Sequence, residues 1–529
     1  MDQNPPVLHV AYGRISGNMY RCEYFQKEAS IVSKRNVLIV TIALLLSNAM
    51  SGLDSTIINT ALPSIIADLH GIELMGWIVA IFLLGTAVST LVWSKLGEHI
   101  GNKRSYQLAA LFFVLGSFLQ GLSPNILFLI ITRAIAGLGN GGMISLPYII
   151  YAELYKQPRK RMQALGFVSA SYSMATIIGP LVGGYIVDAF TWHWVFYINV
   201  PIGLLSASLV QAFYRLPRPQ AKVQQKIDYL GGSLMAIGII AMLGGIELIG
   251  VTSWWLVALI WVMAAAAITT LIHVENRAAD PIIPNRLFRN RALVTDFALF
   301  TIIWGAFMAF LTYSPMWAQG IIGTSALIGG ATQIPSSFTD FFGSESVAPL
   351  RRYLSPHRVI GLGIITLTLA FVMMALMGIH APYWLILVAG AFEGFGNGAC
   401  FNELQAKVQQ DAERQDVPAA TSFSYLIRML SQTFTAAIYG IIMNAALRSG
   451  VAQSGGKITM AMLNKLSDAA SVGDLPRRLL PAMRVILHHG LHNIMLLALG
   501  LMIVALVINV FAERRERISA PAGITHEAE

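Results

Sequence analysis

The sequence contains little charge. Asp, Glu, Lys and Arg together make up 12% of the 529 residues, whereas hydrophobic types make up 55%. A soluble domain contains about 25% charged residues, because its surface must be hydrated. The composition therefore excludes a soluble multidomain protein. It predicts a polytopic membrane protein, since each membrane-spanning helix requires about 20 mostly apolar residues.

Cysteine is also scarce. The two cysteines, Cys22 and Cys400, lie far apart, which excludes a disulfide framework and a cysteine-based metal site. Residues 1–35 mix Asp, Pro, Arg and Glu without an apolar core, so no cleavable signal peptide is expected. No nucleotide-binding motif, HExxH string or GxSxG string occurs. We therefore expect no enzyme, no metal and no cofactor, and an ion gradient rather than ATP as the energy source.

Apolar runs bounded by charged or turn residues predict fourteen membrane spans. They cover residues 37–62, 74–94, 105–122, 126–148, 163–187, 193–213, 229–249, 253–273, 293–317, 327–349, 358–377, 383–404, 419–446 and 490–511. The tenth span is the least apolar, because Gln333, Ser336, Ser337 and Asp340 interrupt it.

The basic residues follow the positive-inside rule, which places Lys and Arg on cytoplasmic loops. With a cytoplasmic N-terminus, the predicted cytoplasmic loops and the two tails hold 28 of the 36 basic residues. Six more lie in the long loop 447–489, and two, Arg133 and Arg428, lie inside spans. The net charge of +9 therefore reflects membrane topology and not nucleic-acid binding.

The sequence also contains an internal repeat. Residues 133–143, RAIAGLGNGGM, are similar to residues 390–400, GAFEGFGNGAC. This offset maps span four onto span twelve and span one onto span nine. It predicts two parallel six-span halves, with a central cavity between them and rocking-type alternating access. The predicted division is an N-terminal cytoplasmic tail (1–36), a first half (37–213), two inserted helices with flanking cytoplasmic loops (214–292), a second half (293–511) and a C-terminal cytoplasmic tail (512–529).

Four strings carry a family resemblance. Residues 53–63, LDSTIINTALP, are similar to LDxTIVNVALP, and residues 192–203, WHWVFYINVPIG, are similar to WRWIFYINVPIG. Arg133 is followed by glycines four and six positions later, as in RxxxGxG, and residues 179–184, GPLVGG, match the antiporter motif that ends in GPxxGG.

Through these strings, residues 36–450 resemble the major facilitator superfamily, and within it the fourteen-span drug:proton antiporters of the EmrB/QacA type. The resemblance implies an all-α polytopic membrane protein with the major facilitator fold. Its 14 transmembrane helices would form two six-helix halves with two helices inserted between them.

The loop after span two, SKLGEHIGNKR at residues 94–104, resembles the superfamily motif GxxxDRxGRK. It departs from the motif at Ser94, Glu98, His99 and Asn102. The resemblance implies conformational roles for eight residues of this loop and of span five, namely Glu98, Gly101, Lys103, Arg104, Gly179, Pro180, Gly183 and Gly184. Tight helix packing without a coupling role explains the span-five residues almost as well.

Two charged residues lie within apolar spans of the first half. Asp54 in span one is expected to face a cavity or to hold a proton, because an ionised carboxylate in hydrocarbon is costly. A reversibly protonated carboxyl group is what proton coupling requires; the alternative is a structural carboxylate. Arg133 carries a fixed charge. The resemblance implies a role for it in proton transfer, and the alternative is a buried structural ion pair.

The second half contains further charged candidates. Glu393 replaces Ala136 in the repeat and is expected either to bind a cationic substrate or to carry a second proton; the alternative is a hydrogen-bonded acid between helices. Asp340 in span ten has the same alternatives. Arg428 is either structural or lines the cavity, and Asp296, near a span end, is expected to reach water.

Together these features predict proton-coupled export of amphipathic, often cationic, compounds across a bacterial cytoplasmic membrane, with both termini cytoplasmic. The expected partners are small-molecule substrates, protons and the lipid bilayer, without nucleic acid. An adaptor protein is expected only in a cell with two membranes. Two alternatives remain open. One is a dedicated metabolite, peptide or lipid exporter of the same fold, and the other is a membrane protein that senses a ligand without transporting it.

Overall fold

The computed structural model describes residues 34–155, 157–214, 229–248, 252–275 and 285–519. These residues contain no strand and fourteen helices of at least fifteen residues. The long helices are α1 (Lys34–Leu69), α2 (Met75–Ile100), α3 (Asn102–Gly121), α4 (Ile126–Leu154), α5 (Pro158–Ala189), α6 (Asn199–Phe213), α7 (Tyr229–Glu247), α8 (Trp254–Glu275), α9 (Arg291–Met316), α10 (Ile334–Leu350), α11 (Pro356–Leu376), α12 (Trp384–Asp411), α13 (Val417–Gln453) and α14 (Leu480–Ser519). The predicted all-α class is confirmed.

Twelve of the predicted spans each coincide with one of these helices, whereas spans six and ten each combine a long helix with a short one, His193–Tyr197 and Ala326–Ala331 respectively. Ten helical segments of the described chain are long and apolar enough to cross a membrane, and they correspond to α1, α2, α4, α6, α8, α9 and α11 to α14. Helices α5 and α7 contain shorter apolar stretches, at Met174–Ala189 and Ser233–Ile246. A count of fourteen membrane crossings therefore stays a prediction. The predicted tails and the loops beside α7 and α8 fall largely outside the described residues.

Two predicted segments differ from the structure. The tenth span is divided into a short helix, Ala326–Ala331, and α10, with a turn between them. The predicted loop 447–489 is largely helical, because α13 extends to Gln453 and α14 begins at Leu480. The segment between them contains a further short helix, Met460–Leu466. Hydrophobicity alone misses these helical turns, because they combine polar and apolar residues at the end of the bundle.

Successive long helices joined by short loops are expected to run in opposite directions. The bundle therefore has a tail face, where α1 begins and α14 ends, and an opposite face, where α1 ends and α14 begins. Contacts between helices agree with this alternation. At the tail face Lys407 of α12 binds Glu516 of α14. At the opposite face Trp192, which precedes the short helix His193–Tyr197 before α6, donates a hydrogen bond to Asp68 at the end of α1. Most of the basic residues in the described connections between helices lie at the tail face, which the positive-inside rule predicts to be cytoplasmic.

The internal repeat corresponds to equivalent helix packing in both halves. A Cβ atom added at Gly137 of α4 would lie 2.5 Å from the carbonyl oxygen of Phe82 in α2. The repeat equivalent, Gly394 of α12, would place its Cβ atom 1.8 Å from the carbonyl oxygen of Ser336 in α10. Glycine is therefore required at these positions because two helix backbones approach each other directly. Helices α4 and α12 take equivalent places beside α2 and α10.

The two halves are joined at the opposite face. The carboxylate of Asp188, near the end of α5, accepts hydrogen bonds from the backbone N–H groups of Ala326 (3.0 Å) and Leu327 (2.9 Å). The hydroxyl of Ser64 in α1 donates to Asp468 in the segment before α14, at 2.9 Å. These hydrogen bonds all lie at the opposite face. The structure therefore has the two halves closed together on that side of the bundle.

Candidate functional site

The first half contains a fully buried ion pair between α1 and α4. The guanidinium Nη1 of Arg133 lies 3.1 Å from Oδ2 of Asp54, and each side chain is 1% exposed. The other carboxylate oxygen, Oδ1, accepts a hydrogen bond of 2.8 Å from the side-chain amide of Asn199. Both oxygens of Asp54 therefore have a donor, supplied by two different helices. The structure brings together the two residues that the sequence nominated separately.

Arg133 is also fixed by contacts that do not involve Asp54. Its Nε donates to the backbone carbonyl of Ile78 at 3.2 Å, and its guanidinium carbon lies 4.1 Å from the centre of the Phe82 ring. Cation–π contact stabilises a desolvated guanidinium. Arg133 can therefore remain in place when the charge of Asp54 changes, while the charge-assisted bond between them weakens.

Asn199 is a site residue that sequence reasoning missed. It begins α6 and lies within the string WHWVFYINVPIG, which carried the family resemblance without a role for this residue. Its side chain is fully buried. A single amide in an otherwise apolar run was the available signal, because a buried amide requires hydrogen-bond partners. Its partner, 145 positions earlier in the chain, is visible only in three dimensions.

Glu393 forms the centre of a second buried group, between α12 and α10. Its side chain is completely buried, and Oε2 accepts a hydrogen bond of 2.5 Å from the hydroxyl of Ser336. Oε1 has no hydrogen-bond partner among the described residues. The carboxyl group is therefore only half satisfied in this conformation, which suits either proton binding or attraction of a positive charge.

Asp340 lies one helical turn from Ser336 on α10 and is half-buried. Its Oδ1 accepts a hydrogen bond of 2.8 Å from the side-chain amide of Asn397. Its charge acts on Glu393 and on Arg428 of α13. In the second half, Asp340 therefore interacts electrostatically both with Glu393 and with Arg428. No hydrogen bond or ion pair within the described part of the chain joins these three residues to Asp54 and Arg133.

The span-five motif lies where the two halves meet. A Cβ atom at Gly183 would lie 2.6 Å from the Ile57 side chain of α1. A Cβ atom at Gly184 would lie 2.4 Å from the Cα atom of Leu327, and one at Gly330 would lie 2.2 Å from the carbonyl oxygen of Pro180. These small residues allow α5 to contact both α1 and the short helix of the second half. Gly179 likewise faces Thr56 of α1.

The helical architecture described above is that of a known protein family. The family model of the major facilitator superfamily matches residues 44–436. The chain belongs to the major facilitator superfamily. It is therefore a polytopic membrane transporter rather than an enzyme.

Among curated proteins, the chain is 30% identical over 436 residues to Multidrug resistance protein 3 of Bacillus subtilis, which covers 82% of this chain and 81% of that protein. It is 29% identical over 423 residues to Efflux pump bfoC of Aspergillus brasiliensis, with 77% of this chain and 74% of that protein covered. Both similarities extend over most of the chain and are not limited to the short motifs.

Among solved structures, a bacterial homologue of the human lysosomal transporter Spinster, in an inward-facing and unoccupied conformation, superposes with a TM-score of 0.67. The sequence identity is 13%, and the match covers 93% of this chain and 100% of the other. A D-xylose–proton symporter matches with a TM-score of 0.56 at 15% identity over 82% and 96% of the two chains. At these identities the likeness supports the fold alone.

Within this superfamily fold, the structure accounts for one departure from the motif in the loop between α2 and α3, that at Asn102. Gly101 has a φ of +91°, which favours glycine and allows the sharp turn. Asn102 donates a hydrogen bond of 2.7 Å to Glu153 of α4, so a neutral amide takes the place of a charged partner. Tyr214, just after α6, also donates to Glu153, and burial together with this bond raises the pKa of its phenol.

The other candidate residues of this loop are Lys103, Arg104 and Glu98. Lys103 donates from Nζ to the backbone carbonyl of Gln211 at 2.7 Å, and Arg104 is exposed at the tail face. The side chain of Glu98 lies outside the described residues. The loop therefore joins α3 to α4 and α6 within the first half.

One expectation near a span end was wrong. Asp296 of α9 does not reach water; its side chain is completely buried. It lies near Lys407 and Asp411 of α12 and Glu516 of α14, whose charges act on it. The sequence position near the helix end suggested solvent. The surrounding helices α12 and α14 extend past this point toward the tail face and cover it.

Proposed function

We propose that this transporter is a proton-coupled exporter of amphipathic, often cationic, drugs or toxic compounds, working by antiport across the bacterial cytoplasmic membrane. It would belong to the fourteen-span drug:proton antiporter branch, with both termini in the cytoplasm. The observation that carries the proposal is the fully buried Asp54–Arg133 pair. A carboxylate at this depth requires either its cation or a proton, and exchange between these two states is the chemistry of proton coupling.

The contacts suggest how a proton would act. Protonation of Asp54 removes its charge and weakens the bond to Arg133, while Arg133 stays attached to Ile78 and Phe82. The hydrogen bond from Asn199 links the same carboxyl group to α6. Because α1 also contacts α5 at Gly183, a change in how α1 is fixed reaches the interface between the halves. Asp54 would thus connect the proton to alternating access.

The closed opposite face supports an inward-facing state. The basic loops assign the tail face to the cytoplasm, so the Asp188 and Ser64 contacts would close the external side. In this state drug would enter from the cytoplasm, and the half-satisfied carboxyl of Glu393 would attract a positively charged group. The name of the Bacillus subtilis relative supports drug export as the class of activity. A protein adaptor would be needed only in a cell with two membranes.

The test is reconstitution of the purified protein in vesicles with a panel of amphipathic dyes and drugs. Substrate-dependent proton movement, and dye extrusion that an imposed pH gradient accelerates, are the expected results. A dedicated exporter would move one compound class of the panel, or a metabolite, peptide or lipid instead. A ligand sensor would bind compounds without any proton-dependent flux, and that outcome would exclude the proposal.

A further inference from the structure

Arg428 of α13 is a charged side chain with no ion-pair partner in the part of the chain that the structure describes. No carboxylate of the described residues lies within 4.0 Å of its guanidinium, and no hydrogen bond to it occurs there. Its Nε is buried without a hydrogen-bond partner. The side chain as a whole is half-buried. Arg428 therefore differs from Arg133, which is completely buried and paired with Asp54.

The surroundings of Arg428 are aromatic. Its guanidinium carbon lies 5.1 Å from the ring centre of Phe401 in α12 and 5.3 Å from that of Tyr425, one turn earlier on α13. The two rings stabilise the cation and limit the positions that it can take. They leave the edge of the planar guanidinium, with its N–H donors, available for another group.

The exposed part of Arg428 lies on a membrane-spanning helix, where its surroundings matter for the cost of its charge. Arg428 lies about a third of the way along α13 from the tail-face end, and an arginine facing hydrocarbon there would be costly. Asp340 of α10 and Phe401 of α12 approach it from neighbouring helices of the second half. We therefore expect the exposed part of Arg428 to face the interior of the second half, beside α10 and α12, and not the lipid.

The negative charge of Asp340 only partly balances this arginine. The Asp340 carboxylate attracts Arg428 electrostatically, but one of its oxygens is bound to Asn397 at 2.8 Å. The two charges are held on different helices without direct contact. An incoming anion therefore meets a guanidinium with free donors, and Asp340 opposes its binding by repulsion.

We propose that Arg428, with Phe401 and Tyr425, recognises the anionic group of an aromatic carboxylate-bearing substrate. The guanidinium would bind the carboxylate through two parallel hydrogen bonds, and the rings would contact the aromatic body of the compound. The inference rests on the proposed export function, since it names a substrate class for the same transporter. It extends the range beyond cations to anionic and zwitterionic compounds.

The test uses the full-length purified protein in detergent and two fluorescent probes, dansylglycine and its neutral analogue dansylglycinamide. A hydrogen-bonded charge is worth about 1.5–3 kcal/mol, which corresponds to roughly tenfold or more in affinity. Wild type should therefore bind the acid at least about tenfold more tightly than the amide. Arg428→Gln should remove this preference while leaving amide affinity nearly unchanged, and Arg428→Lys should retain part of it because the charge stays.

Asp340→Asn should strengthen the binding of the acid, whereas Arg428→Gln should weaken it. The Asp340 substitution removes the competing negative charge, so affinity for dansylglycine should increase several-fold without a change for the amide. If Arg428 served only as a counter-ion to Asp340, neither substitution would alter the ratio of the two affinities. Arg448→Gln, an exposed arginine further along α13, is the matched charge control and should behave as wild type.

Equal affinity of wild type for the acid and the amide, or no binding of the acid, would overturn the inference. So would an unchanged preference in a folded Arg428→Gln protein. The measurement requires binding and not transport. Loss of proton-dependent flux would therefore count against the proposed function without affecting this result.

Discussion

Asp54→Asn is the substitution that tests the coupling site most directly. It keeps the size of the side chain and one acceptor oxygen but removes the charge and the ability to exchange a proton. The amide of this variant can no longer offer an acceptor to both Arg133 and Asn199, which in the wild type bind one carboxylate oxygen each. Arg133 would remain in a completely buried position without a counter-charge.

The cost can be worked out from these contacts. Removal of one partner from a buried ion pair destabilises by about 3–5 kcal/mol, because the other charge stays buried and uncompensated. Here Ile78 and Phe82 still hold Arg133, so we expect a loss near the lower end, about 3 kcal/mol. The double variant Asp54→Asn with Arg133→Gln removes both charges and should recover most of that stability.

Transport should respond differently from stability. Both the single and the double variant should reach the membrane and lose uphill efflux driven by a pH gradient in inverted vesicles. Substrate-induced proton release in detergent should disappear in both. Downhill exchange of substrate should persist, since alternating access does not itself consume the proton. Recovery of stability without recovery of coupling would separate the proton-carrying role of Asp54 from a structural one.

The control is the same chemical change at an exposed ion pair. Asp474 lies 3.1 Å from Lys465 and its side chain is 69% exposed. Asp474→Asn should change stability by less than about 1 kcal/mol, as is usual for surface pairs, and should leave coupling intact. The reasoning is refuted if a properly inserted Asp54→Asn protein keeps wild-type proton-coupled efflux. Glu393 or Asp340 would then be the candidate for the coupling proton.

Three further predictions concern other parts of the molecule. Glu393→Gln keeps the hydrogen bond with Ser336 but removes the charge, so efflux of cations should fall several-fold while neutral compounds are spared; equal loss of both classes in vesicle assays would favour a structural role. Gly394→Leu should reduce the yield of folded protein, measured by size-exclusion chromatography, because its Cβ atom would meet the Ser336 carbonyl, whereas Gly500→Leu, where nothing lies within 4 Å, should be tolerated. A reporter fused at residue 222 should read cytoplasmic and one at residue 70 external, because the basic residues segregate in that way, and the reverse pattern would overturn the orientation.

Much of the fold was predictable because its signals are local. A run of apolar residues predicts a membrane span. The glycines of the repeat indicate close helix packing, which the structure has at Gly137 and Gly394. Asp54 and Arg133 could be nominated for the same reason: a charge within an apolar run is costly wherever it points. The helical turns between α13 and α14 were less predictable, since their polar and apolar residues make no continuous run.

The sequence by itself determined the membrane class, most of the helical segments, the distribution of basic residues and the candidate charges within spans. Only the tertiary structure decided which of those charges meet. Asp54 and Arg133 are 79 positions apart and form one pair, whereas Arg428, which also lies within a span, has no ion-pair partner among the described residues. Asp296, near a helix end, is covered by neighbouring helices. The physical reason is that hydrophobicity is a property of each segment, whereas pairing and burial depend on which segments pack together and how each helix is rotated about its axis.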